Sequence, residues 1–90
     1  MTWSVLISDK AQKQLQNIGP GHRRVILTWL AKNIDGCDNP RVFGKALTAN
    51  RTGIWRYRIG DYRILVDIQD DELVVMALQI GHRKRSTDDD

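Results

Sequence analysis

Residues 54–68 constrain this chain more than any other stretch. Ile54 to Ile59 and Tyr62 to Ile68 each alternate with the two-residue period of a β-strand, and only Gly60 and Asp61 separate them. A two-residue connection with glycine between alternating runs predicts a tight β-hairpin. Closing that hairpin sets Ile59 opposite Tyr62 and therefore Arg58 opposite Arg63. Cross-strand partners share a face, and Arg56 shares it with Arg58 because alternate strand residues point the same way. Three guanidinium groups thus converge on one patch. Like charges opposed across a sheet cost on the order of a few tenths of a kcal/mol or more, and no acid among the facing residues is placed to relieve it. One strand arginine merely solvates an exposed face. Three converging ones call for an external anion, and phosphate suits them, because arginine is planar, permanently charged and binds phosphate through paired hydrogen bonds.

The other face of the hairpin is apolar. Trp55, Tyr57 and Ile59 on one strand, with Tyr62, Ile64, Val66 and Ile68 on the next, read as core. A third strand from Leu73 to Ile80 follows a turn at Asp70 and Asp71, with Leu73, Val75 and Ala77 inward and Val74, Met76 and Leu78 on the arginine side. That side is therefore not wholly polar, and something partly covers it.

Upstream, Trp3, Val5 and Ile7 alternate as in a short strand. Ser8 then caps a helix opening on Asp9, an acid well placed for the helix dipole, with Ala11, Leu15 and Ile18 on one face. Gly19, Pro20 and Gly21 stop it. A second helix runs from about His22 to Asp35, its apolar residues Val25, Ile26, Trp29, Leu30 and Ile34 at helical spacing, and Gly36 ends it. Residues 37–53 carry loop chemistry at Asn39, Pro40, Gly44, Asn50 and Gly53. The expected fold is α+β: an N-terminal strand, a two-helix hairpin, then a three-stranded antiparallel meander, forming one sheet with the helices on one face. Ninety residues allow one domain, 1–90, and no second one to close over a site.

Composition narrows the function classes. Hydrophobic residues at 41% and charged residues at 28% are globular values. The one cysteine, Cys37, excludes an internal disulfide and fits a reducing compartment. The first ten residues read as a strand and not a leader, and no apolar run approaches the roughly 20 residues that span a bilayer. A cytoplasmic protein without membrane contact is expected. One cysteine and two distant histidines supply no metal site. No glycine-rich nucleotide-binding loop is present, and no cofactor is expected. The net charge of +3 points to an anionic partner. Its distribution says more, since arginines crowd positions 51–63 and 83–85 while the chain closes on three aspartates.

The second basic cluster, His82, Arg83, Lys84 and Arg85, follows Gly81. Strict alternation from the third strand would put Arg83 on the core face. A bulge or strand end at Gly81 would be needed to bring it to the arginine patch. Histidine is the side-chain type suited to carrying a proton at physiological pH, and His82 is the candidate proton carrier. The structural alternative is a histidine that packs or hydrogen-bonds. Lys45, ahead of the hairpin, is a candidate phosphate contact or simply a solvated lysine.

The run Gly44 to Asn50, the W-R-Y-R-x-G-D-Y-R stretch ending at Arg63, Asp70 to Val75, and the G-H-R-K run at Gly81 to Lys84 together resemble the RelE/ParE toxin superfamily, RelE-type members in particular. The resemblance covers nearly the whole chain. It implies the toxin of a type II toxin–antitoxin pair, a ribosome-dependent endoribonuclease that cuts mRNA in the A site. In that chemistry the ribose 2′-OH attacks the adjacent phosphate, leaving a 2′,3′-cyclic phosphate and a 5′-OH end. Arg63 and Arg83 match the family's catalytic arginines, with His82 a fallback proton carrier. Arg56 and Arg58 match two basic strand positions, and Lys45, Lys84 and Arg85 join them as RNA contacts. The implied partners are mRNA, the ribosome and a RelB-type antitoxin that covers this surface in a hetero-oligomer.

Two departures stand out. The base-stacking tyrosine of RelE-type toxins is replaced by Thr87 or Asp89, and the two strand positions, lysine in the best-known member, are arginine. The alternative is a ParE-type toxin that inhibits DNA gyrase by binding and cuts nothing. The arginines favour the nuclease and the missing tyrosine favours the inhibitor. A third reading is a binding module without cleavage, kept for antitoxin or operator regulation.

Overall fold

A computed structural model of the chain describes residues 2–47 and 54–82. The elements run β1 (Ser4–Ile7), α1 (Asp9–Asn17), α2 (Pro20–Asn33), a 3₁₀ turn (Pro40–Val42), β2 (Lys45–Ala46), β3 (Ile54–Ile59), β4 (Tyr62–Gln69) and β5 (Val74–His82). The strands form one sheet in the order β1-β5-β4-β3-β2, with β1 parallel to β5 and the other pairs antiparallel. The α+β class and the element order match the sequence reading. Two details differ. Residues 37–53 are not all loop, because Lys45 and Ala46 add an edge strand beside β3. The second helix starts at Pro20, whose fixed φ and missing N–H suit a first helical position, so the residue expected to stop α1 opens α2 instead.

Local chemistry sets the boundaries. The Ser8 side chain accepts from the Ala11 amide at 3.1 Å and caps α1. Its hydroxyl also donates to the Leu78 carbonyl at 3.1 Å, tying the helix start to β5. Gly36, at φ 84°, takes the left-handed conformation that ends a helix segment, and its N–H donates to the Trp3 carbonyl. With Trp3 N–H donating to Cys37 and Val5 N–H to the Asp35 carboxylate, the exit of α2 covers the outer edge of β1. Beyond Ile7, where β1 ends, Gln14 takes over and its Oε1 accepts from the Ile80 N–H at 2.7 Å.

The core lies between helices and sheet. Ala11, Leu15, Ile26, Leu30 and Ile34 meet Tyr57, Ile64, Val66, Val75 and Ala77, all nearly without solvent exposure. Trp29 bridges the layers, its ring centroid 5.4 Å from Tyr57 and 5.5 Å from Phe43. Trp55, expected in the core, is only partly buried there, and its indole N–H donates to the Phe43 carbonyl at 2.6 Å. Leu73 packs against the core but is a turn residue at φ 54°, so β5 begins one residue later than the alternation suggests.

Bringing residue 83 to the arginines required a bulge or strand end at Gly81; the strand runs on through His82, and the bulge lies three residues before Gly81. Leu65 pairs with Gln79 and Val66 with Ala77, leaving Leu78 as the extra residue. The parity of β5 reverses there. Val75 and Ala77 face the core before it, and Ile80 does so after it.

Candidate phosphate-binding face

The hairpin register is the one the sequence predicts. Ile59 pairs with Tyr62, Arg58 with Arg63 and Arg56 with Leu65. Gly60, at φ 58°, supplies the left-handed conformation of the two-residue turn. The open face of the sheet, away from the helices, therefore carries two rows. One runs Arg58, Arg63, Gly81, and the other Lys45, Arg56, Leu65, Gln79. Arg58 is exposed and Arg63 partly buried. Arg56 is 6% exposed, the buried charged side chain among the described residues. Each of the three arginines has an interaction partner within the chain. Opposite Arg63, the absent side chain of Gly81 leaves open space.

The edge strand shapes the other end of this face. Gly44, Lys45, Arg56 and Arg58 line a cleft of about 230 Å³. Gly44 has φ 69°, and a Cβ there would collide with the Arg56 carbonyl and approach the Tyr57 ring to 2.8 Å. Only glycine lets the chain pass this close to β3. Sequence reading took Gly44 for loop punctuation, and no signal in one sequence separates a glycine that bends from one that must let another backbone approach. Lys45, read as loop, sits on β2 directly opposite Arg56. Behind it, the Tyr57 hydroxyl donates to the Pro40 carbonyl at 2.8 Å, and burial pushes this phenol far above its ordinary range. Arg41 forms a paired ion bridge to Asp70, both contacts 2.9 Å, pinning the 3₁₀ turn to the β4–β5 turn. The same hydrogen bonds hold the Asp70 carboxyl below its usual value. Asp67 also lies on the open face, opposite Ile54 and Met76, two pleats beyond Arg63.

His82 is elsewhere. The bulge at Leu78 gives Gly81 the parity of Arg63 and gives His82 that of Tyr62, with which it pairs. Its ring meets Tyr62 edge-on at 5.0 Å, and Tyr62 meets His22 at 5.3 Å, on the helix side of the sheet. The structure thus brings together Lys45, Arg56, Arg58 and Arg63 and sets His82 on the opposite face. Arg83, Lys84 and Arg85 lie outside the described residues. Cys37 is half-buried in the loop after α2, and burial pushes its thiol up. Among the described residues no group of three or more His, Cys, Asp or Glu could hold a metal ion, and no helix is long and apolar enough to cross a membrane.

The fold has solved counterparts. The toxin–antitoxin complex RelBE2 of Mycobacterium tuberculosis matches with a TM-score of 0.82 at 24% identity, over 92% of this chain and 93% of that one. The archaeal RelE–RelB complex of Pyrococcus horikoshii matches at 0.71 and 24% identity, over 96% and 100%. The isolated E. coli RelE toxin matches at 0.73 and 18% identity, over 96% and 89%. At these identities the likeness speaks for the fold. No curated protein matches the sequence. The family profile of the ParE toxin of the type II toxin–antitoxin system parDE matches residues 5–87. That span takes in both helices and, apart from Ser4 at the start of β1, every described strand, and the chain belongs to this toxin family, within the RelE/ParE superfamily.

Proposed function

We propose that this toxin of a type II toxin–antitoxin system acts as a ribosome-dependent endoribonuclease, gripping an mRNA phosphodiester on the open sheet face. The observation that carries the reading is Arg58 directly opposite Arg63, with Arg56 and Lys45 one row away on the same face. A guanidinium has five N–H donors and binds phosphate through two parallel hydrogen bonds. In the proposed step the substrate 2′-oxygen bonds to phosphorus and the bond to the 5′-oxygen breaks. The 2′-OH loses its proton and the leaving oxygen gains one. Charge accumulates on the phosphoryl oxygens, and preorganised cations facing them lower the barrier. Arginine keeps its proton, so Arg58 and Arg63 act by charge and orientation. Arg83 is proposed as a further catalytic arginine, and Lys84 and Arg85 as RNA contacts, on family resemblance. With His82 facing the helix layer, the reading gives it no proton transfer at the arginines.

Solved counterparts include RelE–RelB complexes. An antitoxin of RelB type, with acid groups over the cationic face, is the partner this reading expects, and the cytoplasm is where it would act.

A second reading comes from the family match, which is to the ParE toxin: inhibition of DNA gyrase by binding. Primer extension on mRNA from cells expressing the toxin separates the two. Discrete cuts within translated codons are expected, and Arg63→Ala should lower their yield at least about 100-fold, the scale of one lost transition-state donor. Intact mRNA with DNA damage would replace the nuclease by the gyrase inhibitor. Undiminished cutting in Arg58→Ala and Arg63→Ala would refute the site.

A further inference from the structure

Back to back with the arginine row lies a pocket of about 600 Å³, lined by Gln14, Asn17, Ile18, His22, Tyr62, Ile80 and His82. Tyr62 and Arg63 are consecutive on β4 and point to opposite faces, as do the residues paired with them, His82 and Gly81. The two sites are therefore separated by the thickness of the sheet and offset along the strand by one residue, about 3.3 Å, at the end of the sheet where β4 begins and β5 stops. We propose that this pocket receives a nucleobase of the RNA strand whose phosphate lies on Arg58 and Arg63. The inference rests on the phosphate reading above and adds to it a base-recognition site on the helix side.

The lining has the chemistry of a base site. Unstacked RNA bases are held by aromatic faces and by hydrogen bonds to their edges. Tyr62 forms the floor with its ring nearly buried, flanked by the imidazoles of His22 and His82. His22 stands exposed at the mouth. Gln14 uses its Oε1 on the Ile80 amide, which leaves its N–H₂ to donate, and the Asn17 carboxamide offers both a donor and an acceptor. Ile18 and Ile80 close the apolar sides. The first turn of α2, which carries His22, holds no acid, and none lines the pocket, so nothing there repels a polyanion. An apolar side chain of a protein partner would leave these polar groups unmatched.

The test is a titration of labelled protein with a short single-stranded RNA whose 2′-O-methyl riboses prevent cleavage, followed by NMR. The His22 and His82 ring signals and the Asn17 amide should move together with the side-chain N–H signals of Arg58 and Arg63. One abasic position should silence the pocket signals and spare the arginines. His22→Ala and the pocket-filling Asn17→Trp, both at exposed positions, should each weaken binding about tenfold, the scale of one lost base–aromatic stack. Movement at the arginines alone, or unchanged affinity in both variants, overturns the base site and leaves the phosphate reading standing. Silence at both sites overturns both. Pocket shifts with the same RNA and silent arginines would keep the base site and refute the phosphate reading. Pocket shifts on adding an antitoxin but not RNA would assign the pocket to the protein partner and overturn the proposal.

Discussion

Among the described glycines, Gly44→Ala should be the most destabilising single-methyl change, and Gly60→Ala provides its control. Both glycines are left-handed, at φ 69° and 58°. Any other residue in that conformation costs roughly 1–2 kcal/mol, so this charge is common to both. The surroundings differ. A Cβ on Gly60 meets nothing within 4 Å, whereas one on Gly44 runs into the Arg56 carbonyl, a backbone atom of a paired strand that cannot swing aside. Forcing a methyl into such a contact adds about 1–3 kcal/mol. The expected losses are thus about 1–2 kcal/mol for Gly60→Ala and about 2–5 kcal/mol for Gly44→Ala. For a domain of this size one kcal/mol shifts the Tm by roughly 4–8 °C, so Gly44→Ala should lower it by some 10 °C or more. Urea denaturation with both variants measured side by side reads the difference directly. Equal losses would show that the close approach of residue 44 to β3 costs nothing to disturb, and the account of the cleft at Lys45, Arg56 and Arg58 would fall with it.

Other consequences follow from the polar contacts behind that cleft. Tyr57→Phe leaves the Pro40 carbonyl without its donor and should cost about 1–3 kcal/mol by denaturant titration. Burial raises the folded-state pKa of this phenol, so its contribution is whole below the unfolded value near 10 and declines as pH rises past it. Spectrophotometric titration should show one of the two tyrosines ionising only as the protein unfolds, and Tyr57→Phe should remove that coupling. Asp70 behaves in the opposite sense. Its folded-state pKa is lowered by Arg41, so its contribution is present above the unfolded value near 4 and is lost as pH falls below that. Asp70→Asn should flatten this part of the acid limb of the stability curve, and an acid limb unchanged from the parent would remove the ion bridge from the account.

Much of the architecture was legible because it rests on period and turn chemistry. The hairpin could be registered from Gly60 and Asp61 alone, since a two-residue turn leaves one pairing and the pairing fixes which side chains share a face. Ser8 announced α1 by its capping chemistry, and the alternation of Tyr62 to Ile68 announced β4. Features that depend on distant partners were less legible. Lys45 and Ala46 look like loop in sequence and become a strand only because Arg56 and Trp55 lie alongside. Arg41 and Asp70 sit 29 residues apart with no local pattern linking them. Pro20 reads equally well as the end of one helix or the start of the next.

The bulge decides where the C-terminal chemistry goes. Alternation counted from Val75 puts every odd position of β5 on the core side, which would include Gly81, and turns position 82 to the arginines. One unpaired residue at Leu78 reverses that count. Nothing in the apolar run from Leu73 to Ile80 marks Leu78 as the extra residue, because Leu, Val and Met suit either side of a half-covered sheet. The structure supplies the cause. Beyond Ile7 the β5 edge no longer has a strand beside it, and Ser8 and Gln14 hold it instead, through the Leu78 carbonyl and the Ile80 amide. The same serine that starts α1 thus anchors the point where β5 changes parity. Ser8 and Gln14 therefore help decide that Gly81 opens space beside Arg63 while His82 goes to Tyr62 and the helix layer.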